Sequence, residues 1–403
     1  MAAAAPAAQR LVGLIDVEQA RADTPGCSHV VHLNNAGASL MPRPVLEAVI
    51  GHLEREATIG GYEAADEAAA RVEHTYEALA RLIGAGAHEI AIAENATRAW
   101  DMACYAVALG PGDRVLIGRA EYASNVIAFL QVAGRTGARI DVVDDDEHGQ
   151  IDVDALRGRV DDDVKLIALT HVPAHSGLVN PAAEVGRIAR DAGALFVLDA
   201  CQSVGQLRVD VGELSCDILT APGRKFLRGP RGTGFLYARS QVIERLDPPF
   251  LDLHAAHWTA PDRYEVRDDA RRFESWEANY AARIGLGVAV DYALALGLDA
   301  IEDRVSALAA RLRSVLAVIP GVTVHDRGLR LCGIVTFTVG SRPAAEVSQW
   351  LREQRVNTSV ARREHARLDR RVDDADRVRA SVHYFNTDDD LGALCDRVRQ
   401  LVP

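Results

Sequence analysis

Two lysines, Lys165 and Lys225, stand among 45 basic residues, and every other one is arginine. Lys225 lies between Arg224 and Arg228 in TAPGRKFLRGPRGTG, a glycine-rich run of cations. A guanidinium does not deprotonate in a protein, whereas an amine with a lowered pKa can attack a carbonyl and form a Schiff base. A lysine retained in so arginine-rich a chain therefore points to carbonyl chemistry. The glycines and cations beside it point to a bound anion. Lys165 follows Asp161, Asp162 and Asp163 at a predicted strand start and needs no such role.

The residues that would complete this chemistry lie at predicted strand ends. Asp199 closes the apolar run LFVLD, and ligands of parallel α/β sheets bind beyond the carboxyl ends of strands. A carboxylate there can keep a pyridine nitrogen protonated, so that the ring accepts electrons from a carbon acid. Asp199 and Lys225 are one strand crossover apart and can share a sheet edge. In ENATRAWDMA, Ala96 and Thr97 stand between a strand and a helix, where free N–H groups and the helix dipole favour an anion. Arg224 adds a fixed cation. Gly232 and Thr233 in GPRGTG can bring backbone close to a second phosphate oxygen, although the spacing is neither a Walker loop nor a dinucleotide fingerprint. Lysine, carbonyl and phosphate together indicate pyridoxal 5′-phosphate (PLP).

Short apolar runs alternate with amphipathic stretches from about residue 28 to 285, the pattern of an α/β domain with a largely parallel sheet. Strands are predicted at Ile90–Glu94, Arg114–Ile117, Arg139–Val143, Leu166–Thr170, Leu195–Asp199, Asp217–Thr220 and Gly234–Ala238. Helices are predicted at Glu67–Ile83, where Val72, Tyr76, Leu79 and Ile83 form one stripe, and at Pro181–Ala192. The stretch Asp247–Phe273 carries three prolines and is too long for a plain connector. A helix over Tyr280–Leu296 leads into a smaller unit with strands at Gly333–Val339 and Val378–His383. The expected division is a large domain over 28–285, with 1–27 and 286–403 forming the small one.

Composition excludes several classes of protein. A hydrophobic fraction of 48% supports large cores, and a net charge of −12 with dispersed arginines disfavours nucleic acid. No apolar run approaches the ~20 residues that span a bilayer, and MAAAAPAAQRLVGL lacks the pattern of a signal peptide. Six scattered cysteines without CxxC spacing suggest reduced thiols in the cytoplasm and no metal site.

The run Asp199-Ala-Cys-Gln202-Ser, followed by GRKFLRGPRGTGFLY, resembles the class V aminotransferase group of fold-type I PLP enzymes, and the similarity covers nearly the whole chain. LNNAGAS, AEYASN, THVPAHSGLVNP, RFESWEAN and VRASVHYFNT resemble further family segments. The resemblance implies a seven-stranded, mostly parallel sheet, a smaller C-terminal α/β domain, and a homodimer with sites at the subunit interface. It implies an amino-acid substrate with Lys225 as the Schiff-base lysine that moves the Cα proton and Asp199 on the pyridinium. Gln202 would meet the phenolic oxygen and Tyr122 would stack on the ring. Ala96, Thr97 and Arg224 would hold phosphate, with Thr233 from the other subunit. Arg379 would hold the substrate carboxylate in a bidentate fork, with Asn35 and Tyr62 also at the substrate.

Cysteine desulfurases of this group take sulfur on a mobile-loop cysteine, and NTSVARREHARLDRR contains none. His175 and the GGY segment around Tyr62 are similar to the ergothioneine-pathway C–S lyase. The expectation is therefore β-elimination from a cysteine-derived substrate, with transamination or epimerisation as the alternative and persulfide transfer disfavoured. A regulator without turnover is disfavoured by the joint presence of Lys225, Asp199 and Arg379.

Overall fold

The computed structural model describes residues 15–369 and 375–402. The N-terminal stretch read as lacking a signal peptide, most of the first half of residues 1–27, and the last two residues of NTSVARREHARLDRR lie outside the described residues.

Seven strands form the main sheet: β1 (Ile90–Ala93), β2 (Arg114–Ile117), β3 (Arg139–Val142), β4 (Val164–Thr170), β5 (Leu195–Asp199), β6 (Ile218–Pro222) and β7 (Gly234–Ala238). Their spatial order is β1-β7-β6-β5-β4-β2-β3. Only β7 runs antiparallel to its neighbours; the pairs from β6 through β3 are parallel. The central strands β5, β6 and β7 are largely apolar and buried because both faces are covered, whereas the edge strand β3 (RIDV) is only partly buried. Alternate residues serve opposite cores: Ile167, Leu169, Phe196 and Leu198 on one face, Leu166, Ala168, Leu195 and Val197 on the other. Three of the seven predicted strands match to the residue, and the other four differ by one or two residues at an end.

A second core lies around a four-stranded antiparallel sheet of Val322–Val324, Ile334–Val339, Arg377–Ser381 and Ser359–Ala361. Val335, Phe337, Val378 and Ala380 pack there against Leu308, Leu312 and Leu394, and Ala20 and Leu33 join from the start of the chain. The 17-residue helix Tyr280–Leu296 ends at Gly297, and Leu298–Ala317 continues at a sharp angle. No single helix among the described residues is long and apolar enough to cross a membrane.

Two expectations change, and the reading of Lys165 stands. The helix read as starting at Glu67 is two helices, Gly61–Glu67 and Ala69–Ile83, which meet at buried Ala68. Its stripe is nevertheless buried at Tyr76, Leu79 and Ile83. The stretch 247–273 contains an antiparallel hairpin, Ala256–Ala260 with Arg263–Val266, whose Trp258 and Tyr264 are paired and exposed. Lys165 is the second residue of β4, exposed, with Nζ donating to Asp162 O at 2.7 Å.

Candidate active site

Parallel pairing brings three strand ends together. Thr170 of β4 is in register with Asp199 of β5, which is in register with Thr220 of β6. Two residues beyond β6 the chain reaches Arg224 and Lys225. The loop is braced from both sides. Arg228, at φ 62° and buried, donates its N–H to Lys225 O at 3.0 Å and its side chain to Leu40 O and the Tyr384 hydroxyl. Gly205, at φ 92°, lies so close that a Cβ would sit 2.4 Å from the Phe226 carbonyl carbon.

Lys225 is partly buried and lines a cavity with Ala96, Thr97, Tyr122, Thr170, Asp199, Cys201, Gln202 and Arg224. Burial pushes its amine below the ordinary lysine range; Arg224 and Arg379 push the same way, while Cys201 and Asp199 oppose. A larger share of the nucleophilic neutral amine follows. Asp199 is buried, and each carboxylate oxygen accepts one hydrogen bond at 2.8 Å, Oδ1 from Cys201 N–H and Oδ2 from Asn125 Nδ2.

Across the cavity, the helix α1 (Ala96–Ala106) starts under an Asn95 cap that accepts from Arg98 N–H, leaving the first amides directed outward. Gly234 of β7 packs on this turn, where a Cβ would come 2.7 Å from Ala96 N. Tyr122 is half-exposed at the start of α2 (Ala123–Thr136). Gln202 Nε2 donates to Ala36 O at 3.1 Å, and its buried Oε1 has no protein partner. Arg224 donates to Gly37 O and stands near Tyr122. Arg379 is buried, donates Nη1 to Ala174 O at 2.8 Å, and leaves Nε without a partner. Burial, then Arg224, pushes its guanidinium down to about 10.

Four residues named from the sequence lie elsewhere in the chain. His175 sits in a neighbouring cleft with Nε2 3.4 Å from Asp369 Oδ2 and does not line the lysine cavity. Tyr62 is 75% exposed on a groove with Leu53, Trp276 and Asn279. Thr233 is buried, gives its hydroxyl to Pro230 O, and lines a pocket with Phe250 and Glu274. Asn35 is fully buried, donating to Ser381 O at 2.8 Å and accepting from Ser39 Oγ at 2.7 Å, which fixes the Asn34–Ser39 loop rather than facing the cavity. Cys332 is buried just before its strand, with its thiol pushed up to about 11 by burial.

Sequence reasoning passed over Glu121, Asn125, Thr170 and Arg228, all buried around these groups. Position offered a signal only for Thr170, which ends a predicted strand, and Arg228, which is three residues from the lysine.

A low-pKa amine, outward helix amides and a carboxylate at one sheet edge suit a single ligand that carries an aldehyde, an anion and a basic ring. The unpartnered Gln202 Oε1 gives the cavity a further polar group, and Arg379 lies behind the lining residue Ala174, to whose carbonyl it donates. PLP has that chemistry, and the protein is a PLP-dependent enzyme of the α/β type with a seven-stranded sheet. Residues 31–394 match the family model Aminotransferase class-V, and the chain belongs to that family.

Its relatives identify a different reaction from the one expected. A probable cysteine desulfurase of Methanothermobacter thermautotrophicus is 28% identical, over 95% of this chain and 98% of its own. Another, of Xylella fastidiosa, is 32% identical over 83% of each. The apo structure of cysteine desulfurase from Thermococcus onnurineus NA1 superposes with a TM-score of 0.90 at 26% identity, covering 96% of this chain and 98% of that one. The expected C–S lyase reading, with persulfide transfer disfavoured, is overturned by these matches. The structure adds one observation: His175, one of the two residues that favoured elimination, does not line the lysine cavity.

Proposed function

We propose that this protein is a cysteine desulfurase, which converts cysteine to alanine and passes the sulfur to an acceptor thiol. The near full-length match to cysteine desulfurases carries the reading, and the Lys225–Asp199 cavity supports it. Bound PLP supplies an electron sink for the Cα–H bonding pair. Arg379, buried with Nε free, would receive the substrate carboxylate. Lys225 would take the Cα proton and return one on the path to alanine, a task suited to an amine already pushed down by burial. Asp199 would hold the ring nitrogen, Gln202 the phenolic oxygen and Tyr122 the ring face, while Ala96, Thr97 and Arg224 would hold the phosphate.

In the overall reaction the Cβ–S bond of cysteine breaks, the sulfur joins the acceptor sulfur as a persulfide, and the acceptor's proton goes to carbon. Cysteine plus thiol thus yields alanine plus persulfide. Segment 357–371 carries no cysteine, and burial holds Cys201, the thiol lining the cavity, well above the ordinary thiol range. A second molecule therefore brings the acceptor thiol. The same reading makes the working form a homodimer, in which Thr233 and Tyr62 serve the partner's cavity. The exposed Leu53, Tyr62 and Trp276 around their groove support that arrangement. The six unpaired cysteines suit a reducing cytoplasm.

The test is incubation of PLP-loaded protein with L-cysteine and a dithiol. One alanine should form per sulfide released. Pyruvate and ammonia in place of alanine would overturn the reading.

A further inference from the structure

Behind the cavity, bonded to its lining residue Thr170, lies a carboxyl group that the proposed reaction does not use. Glu121 follows β2 and is buried. Its Oε1 accepts the Thr170 N–H at 2.6 Å, and its Oε2 meets Thr170 Oγ1 at 2.8 Å. Thr170 is the residue in register with Asp199. Asn125, on the first turn of α2, donates Nδ2 to Asp199 Oδ2 at 2.8 Å and also hydrogen-bonds Glu121. Two carboxyl groups thus share one amide and adjoining strand ends.

The groups around Glu121 decide which of the two carries charge. Thr170 on β4 and Asn125 on α2 are neutral, and His171, next along β4's exit, is held neutral by burial, its pKa pushed down to about 4. The charged group acting on Glu121 is Asp199 on β5. Neighbouring carboxylates cannot both ionise cheaply in a buried site. Asp199 acts on the Lys225 amine and would face a protonated ring nitrogen; among the described residues no cation pairs with Glu121. Burial, with Asp199 adding to it, pushes the Glu121 carboxyl up to about 7. A hydroxyl can accept as well as donate, so a protonated Glu121 can give its proton to Thr170 Oγ1 across the same 2.8 Å contact.

We propose that Glu121 is a positioning residue which, as a neutral acid held by Thr170 and Asn125, fixes the Asp199 carboxylate against the ring nitrogen of bound PLP. It touches neither cofactor nor substrate and acts through Asn125 and Thr170. The inference rests on the PLP reading alone and stands whatever the fate of the cysteine sulfur.

The experiment compares wild type with Glu121→Gln, Glu121→Ala and Asn125→Ala. It measures the PLP dissociation constant by titrating apoprotein, and the visible absorption of bound PLP from about pH 6 to about pH 9. Wild type should show a spectral transition near pH 7, as ionising Glu121 disturbs the charge at the ring nitrogen. Glu121→Gln keeps a neutral amide in place, so it should hold affinity within about threefold and lose that transition. Asn125→Ala and Glu121→Ala should each weaken PLP binding about tenfold, the scale of one hydrogen bond to a charged group. A transition that persists in Glu121→Gln would overturn the proposal, because a merely structural side chain would leave it in place. Wild-type PLP affinity and spectrum in Asn125→Ala would overturn it equally. Should Glu121→Ala fail to fold, those two variants decide the matter. Since the readouts are binding and absorbance, failure here is separate from any failure to make alanine.

Discussion

Glu121 and Glu274 are both buried glutamates, yet their surroundings drive them in opposite directions. At Glu121, burial and Asp199 raise the carboxyl to about 7. At Glu274, burial also opposes charge, but His254, Arg283 and the Ile92 N–H outweigh it and hold the carboxyl below its ordinary range. Arg283 Nη2 lies 3.1 Å away, His254 Nε2 3.3 Å, and the Ile92 N–H and Tyr76 hydroxyl donate at 2.7 and 2.9 Å. Depth alone therefore does not set the state of a buried acid; its partners do. Where the chain needs only a joint between β1, Ala69–Ile83 and Tyr280–Leu296, it pairs the charge fully. Beside the cavity it leaves one acid without a cation, next to a carboxylate assigned to the ring.

The largest contrast between the two regions should come from exchanging chemistry for stability. Lys225→Arg should abolish alanine formation from cysteine, since a guanidinium cannot serve as the neutral amine. Its melting temperature should stay close to wild type by calorimetry, and residual turnover above a few per cent would detach Lys225 from the reaction. Glu274→Ala should do the reverse in kind. It strands Arg283 in a buried site, and a buried pair broken on one side costs about 3–5 kcal/mol, to be read by urea denaturation of the apoprotein. A loss below about 1 kcal/mol would mean that this cluster is no different from a surface pair.

Glu121→Gln sharpens the comparison through pH. A carboxyl raised from 4.5 to about 7 in the folded chain contributes stability that is fully present below the unfolded value and lost as pH rises through the folded one. Wild type should thus lose stability relative to Glu121→Gln between about pH 4.5 and 7, by up to about 3 kcal/mol. A difference that stays constant across the window would show that Glu121 is ionised throughout. The smallest effect belongs to Glu67, which is exposed and paired with Arg55 at 2.6 Å. Glu67→Gln should leave the unfolding midpoint unchanged within error, because exposed pairs contribute little.

Much of the sheet was legible because its central strands are apolar on both faces; β2, β5 and β7 run between the residues read from sequence. Lys225, Asp199, Ala96, Thr97 and Arg224 could be named in advance since strand ends and helix starts have local signatures, Tyr122 and Gln202 came from the family resemblance, and the fold brings all seven to one cavity. The hairpin at Ala256–Val266 was not legible, because its exposed strands lack apolar alternation. Glu121 in AEYASN reads like any surface glutamate until β4 and β5 lie beside it. His175 and Tyr62 were named from a likeness of short segments, which carries no information on where a side chain points. The reaction class failed for that reason: it was inferred from a likeness of short segments and from a missing loop thiol.

The Asn34–Ser39 loop ties together parts of the chain that are made far apart in time. It receives Arg224, its Ser39 N–H bonds Arg224 O at 2.9 Å, and its Asn35 and Ala36 are bonded to Ser381. A ribosome emits the loop long before Ser381, so in between the nascent polypeptide has a sheet but no finished lysine chamber. Contacts of such sequence separation are slow to form, and the growing chain is open to trapping while it waits. The nascent chain should therefore capture PLP only once Ser381 has emerged. A stalled chain ending before Ser381 would be a full-sized sheet unable to acquire its cofactor.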